Sequence, residues 1–449
     1  MVDQDSESAS KGPKPSDENL SISSRQVFIF LLTYGAYVVV YFTRKPFSVA
    51  KSTLKTEGVH TEAELGAIDT AFLVAYAVGQ FGAGTADSIF GARIGLSLCF
   101  VGTGVCALIF GSDVTKEVRS VTWMVNGLFQ ALFFPFIMNV LNQWFPPSTR
   151  GRAFGLWTTC QQVGGFATSA FGAYVLGHPE LTWHYVFIWP AFLAFALSFV
   201  CLTLLQTSPD TATSLADSPA KDFAPQNSSS PTILSFFQVL CLENMLNVGG
   251  GYFCIKLVRY IFLGWLPFYL TSVLEYSAAE AVLLSTAFDI AGAVGSIACG
   301  FVSDKVFGGR SLMAVAPMCL LCGIFAAAYP LVASYGKVYN MATMGLVGLM
   351  VAGPDSVLGG AACAQVCDRA GHPSATTSAT GIANGMGSVG AIASGMLPII
   401  VKERYGWNVL FYFLGALCAC GALCVLPMAL TGYREMRQEA SDKEKQKAV

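Results

Sequence analysis

A succession of apolar runs, each long enough to cross a bilayer and separated by short polar segments, constrains this 449-residue chain more than any other feature. A helix needs about 20 apolar residues to span the hydrocarbon core. About twelve stretches qualify: residues 27–43, 65–85, 91–112, 119–143, 153–177, 183–206, 248–271, 279–301, 311–333, 338–362, 376–401 and 408–431. Inside lipid every backbone amide must be bonded within the protein, so runs of this length are read as helices. Only 12% of the residues are charged, against roughly 25% in soluble domains. The expected fold class is an all-α, multi-pass integral membrane protein. Pro135 and Pro354 fall inside two of the runs and are expected to kink those helices rather than end them. The 14 cysteines are scattered through apolar sequence. They read as small core residues, with no metal-type pairing.

The runs divide into two sets of six. Residues 1–25 form a polar tail, 26–206 a first six-helix half, 207–231 a Ser- and Pro-rich linker, 232–431 a second half and 432–449 a charged tail. An internal repeat supports the division. Asp87-Ser-Ile-Phe-Gly-Ala-Arg93 follows the second run, and Asp304-Lys-Val-Phe-Gly-Gly-Arg310 follows the eighth. In each copy the acid is expected to cap a helix and pair with the arginine, Asp87 with Arg93 and Asp304 with Arg310, holding two helices in one state of a switch. Arg93, Arg150, Arg152, Lys305, Arg310, Arg369 and the tail from Arg434 fall in alternate loops on the side of both termini. By the positive-inside rule that side is cytoplasmic. Lys51 and Lys55 lie on the other side, where an extended first helix or cations guarding an entrance would account for them.

Several polar residues lie inside apolar sequence, where they must face protein or water. Arg44 ends the first run and Arg259 lies inside the seventh. Tyr37, Tyr41 and Arg44 share one helical face by their i, i+4, i+7 spacing, with Lys45 next in sequence. Asp69, Leu73, Tyr76 and Gln80 form a stripe on the second helix, and Tyr252, Lys256 and Arg259 one on the seventh. Two cations on one buried stripe call for an anion between them or a carboxylate partner, for which Asp289 is the first candidate. Asp355, a second buried acid, would titrate or pair with Lys256. The fifth helix carries Gln161 and Gln162 ahead of Gly164 and Gly165. The structural alternatives are a snorkelling Arg44, an interhelical hydrogen-bond seam along the second helix and a purely structural ion pair on the seventh. No nucleotide-binding loop, zinc spacing or Ser/His/Asp arrangement is present. The reading is therefore of a protein that is not an enzyme and uses no cofactor or metal.

The doubled Asp-x-(Ile/Val)-Phe-Gly-small-Arg loop resembles the signature of the major facilitator superfamily. Within it, Tyr41-Phe-Thr-Arg44-Lys45-Pro-Phe-Ser48 and Lys256-Leu-Val-Arg259-Tyr-Ile-Phe-Leu-Gly-Trp265 resemble the organophosphate:phosphate antiporters. Asn126-Gly127-x-x-Gln130 and the stretch Trp157 to Gly165 add to the likeness, which covers nearly the whole chain outside the tails and linker. The eukaryotic sugar-phosphate exchangers, glucose-6-phosphate transporters of the endoplasmic reticulum among them, are the nearest in pattern. The resemblance implies exchange of inorganic phosphate for a sugar phosphate or glycerol-3-phosphate by alternating access. It implies phosphate held by Arg44 and Arg259; on this chain's own polar stripes, Tyr37, Tyr41, Lys45, Tyr76, Gln80, Gln161 and Lys256 are expected to line the site. Asp69, Asp289 and Asp355 would then couple or gate. The expected partners are these small anions and the lipid bilayer, with no nucleic acid and a functional monomer. Gln80 and Gln161 replace cationic residues of bacterial relatives, and Asp355 stands where an apolar or aromatic residue is usual. The rival readings are an organic-anion or sugar facilitator in which Arg44 pairs with Asp69, and a non-transporting sensor on the same fold.

Overall fold

The computed structural model describes residues 24–145, 153, 156–209, 236–372 and 375–447. The linker from residue 210 and the cations Arg150 and Arg152 therefore lie outside the described residues. The first half comprises α1 (Ser24–Arg44), α2 (Pro46–Thr56), α3 (Glu62–Phe81), α4 (Ala83–Phe110), α5 (Lys116–Trp144), α6 (Cys160–Gly177) and α7 (Tyr185–Leu204). The second comprises a short α8 (Phe236–Leu240), then α9 (Met245–Ser272), α10 (Ala278–Lys305), α11 (Ser311–Ala333), α12 (Lys337–Leu358), α13 (Ala361–Arg369), α14 (Thr376–Tyr405) and α15 (Trp407–Lys447). Among the described residues, ten spans are long and apolar enough to cross a membrane. The polar α3 and the short, glutamine-bearing α6 occupy the two remaining expected positions.

The helix boundaries follow from local chemistry. Thr61 and Glu64 form a capping box at the start of α3, and Ser277 and Glu280 form the same box at the start of α10. These are equivalent helices of the two halves, so the caps are a second copy-to-copy match. Pro46 sits in the first turn of α2, where its missing N–H costs nothing. The backbone bonds Lys45 N–H to Tyr41 O and Val49 N–H to Lys45 O carry the helix through. Residues Ser24–Thr56 thus act as one 33-residue rod, about 50 Å long at 1.5 Å per residue. Lys51 and Lys55 lie in this continuation, which is why they break the charge pattern. Pro135 and Pro354 lie inside α5 and α12, which continue past them.

Each half has its own apolar core. One runs from Ile29 to Leu205, the other from Val239 to Ala429. A third cluster joins them: Phe47, Leu54, Phe72, Trp123 and Phe187 of the first half meet Trp265, Phe268, Val282 and Ile399 of the second. It lies at the end of the bundle remote from both chain termini, hereafter the far end. Two pairs of helices seal that end, α3 on α14 and α6 on α10. Their approach depends on glycine. A Cβ on Gly395 would lie 2.2 Å from Thr70 Oγ1, and one on Gly66 would lie 2.4 Å from Ile399 Cδ1.

Candidate functional site between the halves

Arg44 is held in place by the Asn-Gly-x-x-Gln motif of α5. Gln130 Nε2 donates to Thr43 Oγ1 at 2.9 Å and to Thr103 Oγ1 at 3.0 Å. Asn126 Nδ2 donates to the Thr43 carbonyl at 3.2 Å. Between them Gly127 lets α3 pack closely, since a Cβ there would meet Phe72 O at 2.4 Å. That approach brings Phe72 and Tyr76 under the guanidinium. Arg44 Cζ lies 4.6 Å from the Tyr76 ring centroid and 5.9 Å from that of Phe72. Arg44 Nη2 donates across the halves to Tyr260 Oη at 3.4 Å. Among the described residues no carboxylate forms an ion pair with Arg44.

Arg259 reaches the same place from α9. Both guanidiniums act electrostatically on Tyr41 and Tyr260. Tyr41 Oη donates to Gln161 Oε1 at 3.2 Å, which adds α6 to the site. A Cβ on Gly164 would meet Tyr41 Cβ at 2.9 Å, so the glycine pair lets α6 approach α1. Lys256 lies one turn from Arg259, its Nζ 4.9 Å from the Tyr252 ring centroid. Tyr252 Oη in turn donates to Asn384 Oδ1 at 3.3 Å. Tyr37 is buried, its ring packed on Trp157, Phe134 and Tyr41, and it backs the site rather than facing open space. Gln80 is exposed one turn beyond Tyr76.

The acids are partnered differently from the sequence expectation. Asp289 does not pair with Lys256 or Arg259; it pairs with Lys45 across the halves. It lies on the face of α10 turned toward α6, where Gly165 leaves room for its carboxyl. Lys45 Nζ also donates to Gly165 O at 3.2 Å. Arg259 pairs instead with Asp355 of α12, which the sequence reading had offered to Lys256. Asp69 does not pair with Arg44, as the facilitator alternative requires, but with Lys51 one helical repeat further on. Lys51 is fully buried, donates to Gly264 O at 3.0 Å and lies 3.9 Å from the Trp265 ring centroid. Lys55 and Lys402 both engage Glu62 beyond it. Among the described residues, every side-chain hydrogen bond between the halves lies at Arg44 or toward the far end.

The repeated loops are also wired differently. Gly91, at φ +67°, turns the chain between Asp87 and Arg93. Asp87 then accepts from Asn139 Nδ2 at 2.6 Å, and Arg93 Nε donates to Leu202 O at 2.6 Å. Burial lifts the Asp87 carboxyl above the usual carboxylate range, an effect the Asn139 bond opposes. In the second copy Arg310 pairs with Glu435 and Glu439 on the end of α15; the side chain of Asp304 lies outside the described residues. The sequence reading missed Thr43, Asn126, Gln130 and Tyr260 as positioning groups. The buried polar motif on α5 was the available signal for the first three.

A family model of the Major Facilitator Superfamily matches residues 33–390. The chain belongs to that superfamily. Its members are membrane transporters, not enzymes. Sugar phosphate exchanger 3 of Mus musculus is 28% identical over 91% of this chain and 93% of its own length. The Homo sapiens protein of the same name is 27% identical over 90% and 93%. Putative glycerol-3-phosphate transporter 2 of Arabidopsis thaliana is 29% identical over 88% and 84%. Among solved structures, a bacterial homologue of the human lysosomal transporter Spinster superposes with a TM-score of 0.63 at 14% identity. It covers 92% of this chain and 97% of its own. At that identity the likeness shows the fold alone.

Proposed function

We propose that this superfamily member exchanges inorganic phosphate for an organophosphate, a sugar phosphate such as glucose-6-phosphate or glycerol-3-phosphate. The observation that carries the reading is the convergence of Arg44 and Arg259, from opposite halves, on Tyr41 and Tyr260. A tetrahedral dianion suits two guanidiniums, whose planar donor forks match phosphoryl oxygens. Arg44, Lys256 and Arg259 against Asp355 leave a formal excess of two positive charges, which a phosphate dianion neutralises. Tyr41, Tyr76, Gln80 and Gln161 would hydrogen-bond the phosphate or the organic hydroxyls, with Tyr37 supporting Tyr41. The names of the relatives point the same way.

Alternating access follows from the same wiring. The Lys45–Asp289 pair, the Lys51–Gly264 bond and the Lys402–Glu62 pair hold the far end shut, so the site is reached from the end bearing the termini. By the positive-inside pattern that end is cytoplasmic. The endoplasmic reticulum is the membrane expected from the sequence resemblance. A bound anion shields the arginines and lets the halves close over it, after which the far-end bonds part. Exchange is obligatory because the unshielded cations oppose closure of the empty carrier. The test is phosphate release from proteoliposomes loaded with labelled phosphate. Release that requires external phosphate, glucose-6-phosphate or glycerol-3-phosphate is the expected outcome, and the most effective ester names the substrate. Release that ignores every external phosphate compound contradicts antiport.

A further inference from the structure

Three cations and one acid gather at the site. Asp355 stands on α12 directly after Pro354 and binds Arg259 through Oδ2. Its Oδ1 is buried without a hydrogen-bond partner, so among the described residues Arg259 alone holds this carboxylate. Arg44 and Lys256 form no ion pair among the described residues. Lys256 is nonetheless within electrostatic reach of Arg44, Arg259, Asp355 and Tyr76. The two other acids near the seam of the halves are taken, Asp289 by Lys45 and Asp69 by Lys51. The formal charge of the site is therefore plus two, and Asp355 is the residue that keeps it from being plus three.

Resting on the phosphate reading above, we infer that Asp355 is a specificity-determining residue that sets the charge of the substrate. The site takes phosphate monoesters with no second ionised group and turns away esters that carry a carboxylate or a further phosphate. The reason is solvation. Closing the halves over a ligand excludes water, and an uncompensated charge in that setting is strongly penalised. A dianion brings the site to neutrality, whereas a trianion leaves one negative charge over. The fold also says where the extra group would lie. Trp265 and Phe268 of α9 belong to the far-end cluster, so Lys256, one turn before Arg259, stands on the open side of the clamp. The far side is filled by the aromatic rings of that cluster. A phosphoryl group on Arg44 and Arg259 therefore directs its organic end toward the open side, past Lys256 and Tyr252. A carboxylate on that end meets one cation, Lys256, whose charge already offsets the phosphoryl group. Without the Asp355 charge, Arg259 is uncompensated and the site matches a trianion instead.

The test is competition for labelled inorganic phosphate bound to purified wild type, D355N, D355E and K256M. It is run at about pH 8, where a phosphomonoester with a second pKa of about 6 is a dianion. The competitors are glycerol-3-phosphate and 3-phosphoglycerate, which carries a carboxylate where the former has a terminal hydroxymethyl group. A unit charge a few ångströms away, at an effective dielectric constant of about 20, changes affinity roughly tenfold or more. Wild type is therefore expected to prefer glycerol-3-phosphate by roughly that factor. D355N should shrink the preference roughly tenfold and D355E should keep it. K256M, which lowers the charge of the site to plus one, should enlarge it. A purely structural role for Asp355 would weaken both competitors alike. A preference that D355N leaves unchanged, or that D355N and K256M move in the same direction, overturns the inference. If D355N does not fold, an unchanged preference in K256M overturns it. Wild type that binds neither phosphate nor glycerol-3-phosphate would instead remove the functional reading beneath it.

Discussion

Arg44 and Lys51 lie seven residues apart on one helical rod, and their partners separate a site from a seal. Among the described residues Arg44 has aromatic faces and a phenol but no carboxylate partner, which fits the proposed anion site. Lys51 is fully buried against Asp69, a backbone carbonyl and the Trp265 ring. Removing one member of a buried ion pair leaves an uncompensated charge, at a cost of about 3–5 kcal/mol. Lys51→Met should therefore lower the thermal unfolding midpoint in detergent by several degrees. Adding Asp69→Asn should recover much of the loss. A single mutant as stable as wild type would show that the pair holds nothing together. At this scale the sequence exposed the chemistry but not the pairing. An arginine inside an apolar run is conspicuous, and i, i+4, i+7 spacing assigns a shared face. Which neighbouring helix that face meets depends on its rotation in the bundle. That is why Asp289 went to Lys45, and Asp355 to Arg259.

Among elements, glycine decides which helices touch. Gly127 lets α3 bring Phe72 and Tyr76 under Arg44, and Gly164 lets α6 bring Gln161 to Tyr41. At the far end Gly66 and Gly395 set the α3–α14 crossing. Gly395→Val should wedge that crossing apart and favour the state open at the far end. A cysteine at Ser52, a buried position on the sealed side, should then react with a membrane-impermeant maleimide added from the far side. It should stay protected in the Gly395 parent, and protection in both would show that the crossing does not control the seal. The helices themselves were legible, because each expected run corresponds to a helix and the prolines did not end theirs. The continuation of the first helix past Pro46 was visible only as two misplaced lysines. The Thr61/Glu64 and Ser277/Glu280 caps were readable motifs that the sequence analysis passed over.

Over the whole molecule, the firm contacts between the two halves lie at the far end among the described residues. Two internal cores and one bridging cluster divide the apolar contacts, and the polar bonds between the halves fall on the bridging side of Arg44. The repeated loop suggested the two-half plan, but the bonds made by that loop were not legible. Gly91 kinks α4 inside the motif, and the acid and the arginine bond to different helices. A cysteine at Gln80 should be labelled from the side of the termini in empty protein and protected by saturating phosphate. Labelling from the far side instead would reverse the assignment of the open end. The measurement that bears most directly on the two-arginine clamp is phosphate–phosphate exchange in proteoliposomes holding wild type, Arg44→Ala or Arg259→Ala. Each charged hydrogen-bonding group contributes about 1.5–3 kcal/mol. The clamp therefore predicts that either substitution weakens apparent phosphate affinity by roughly 10- to 100-fold in protein that remains folded. Exchange at wild-type affinity in either mutant would contradict a phosphate site built from both halves.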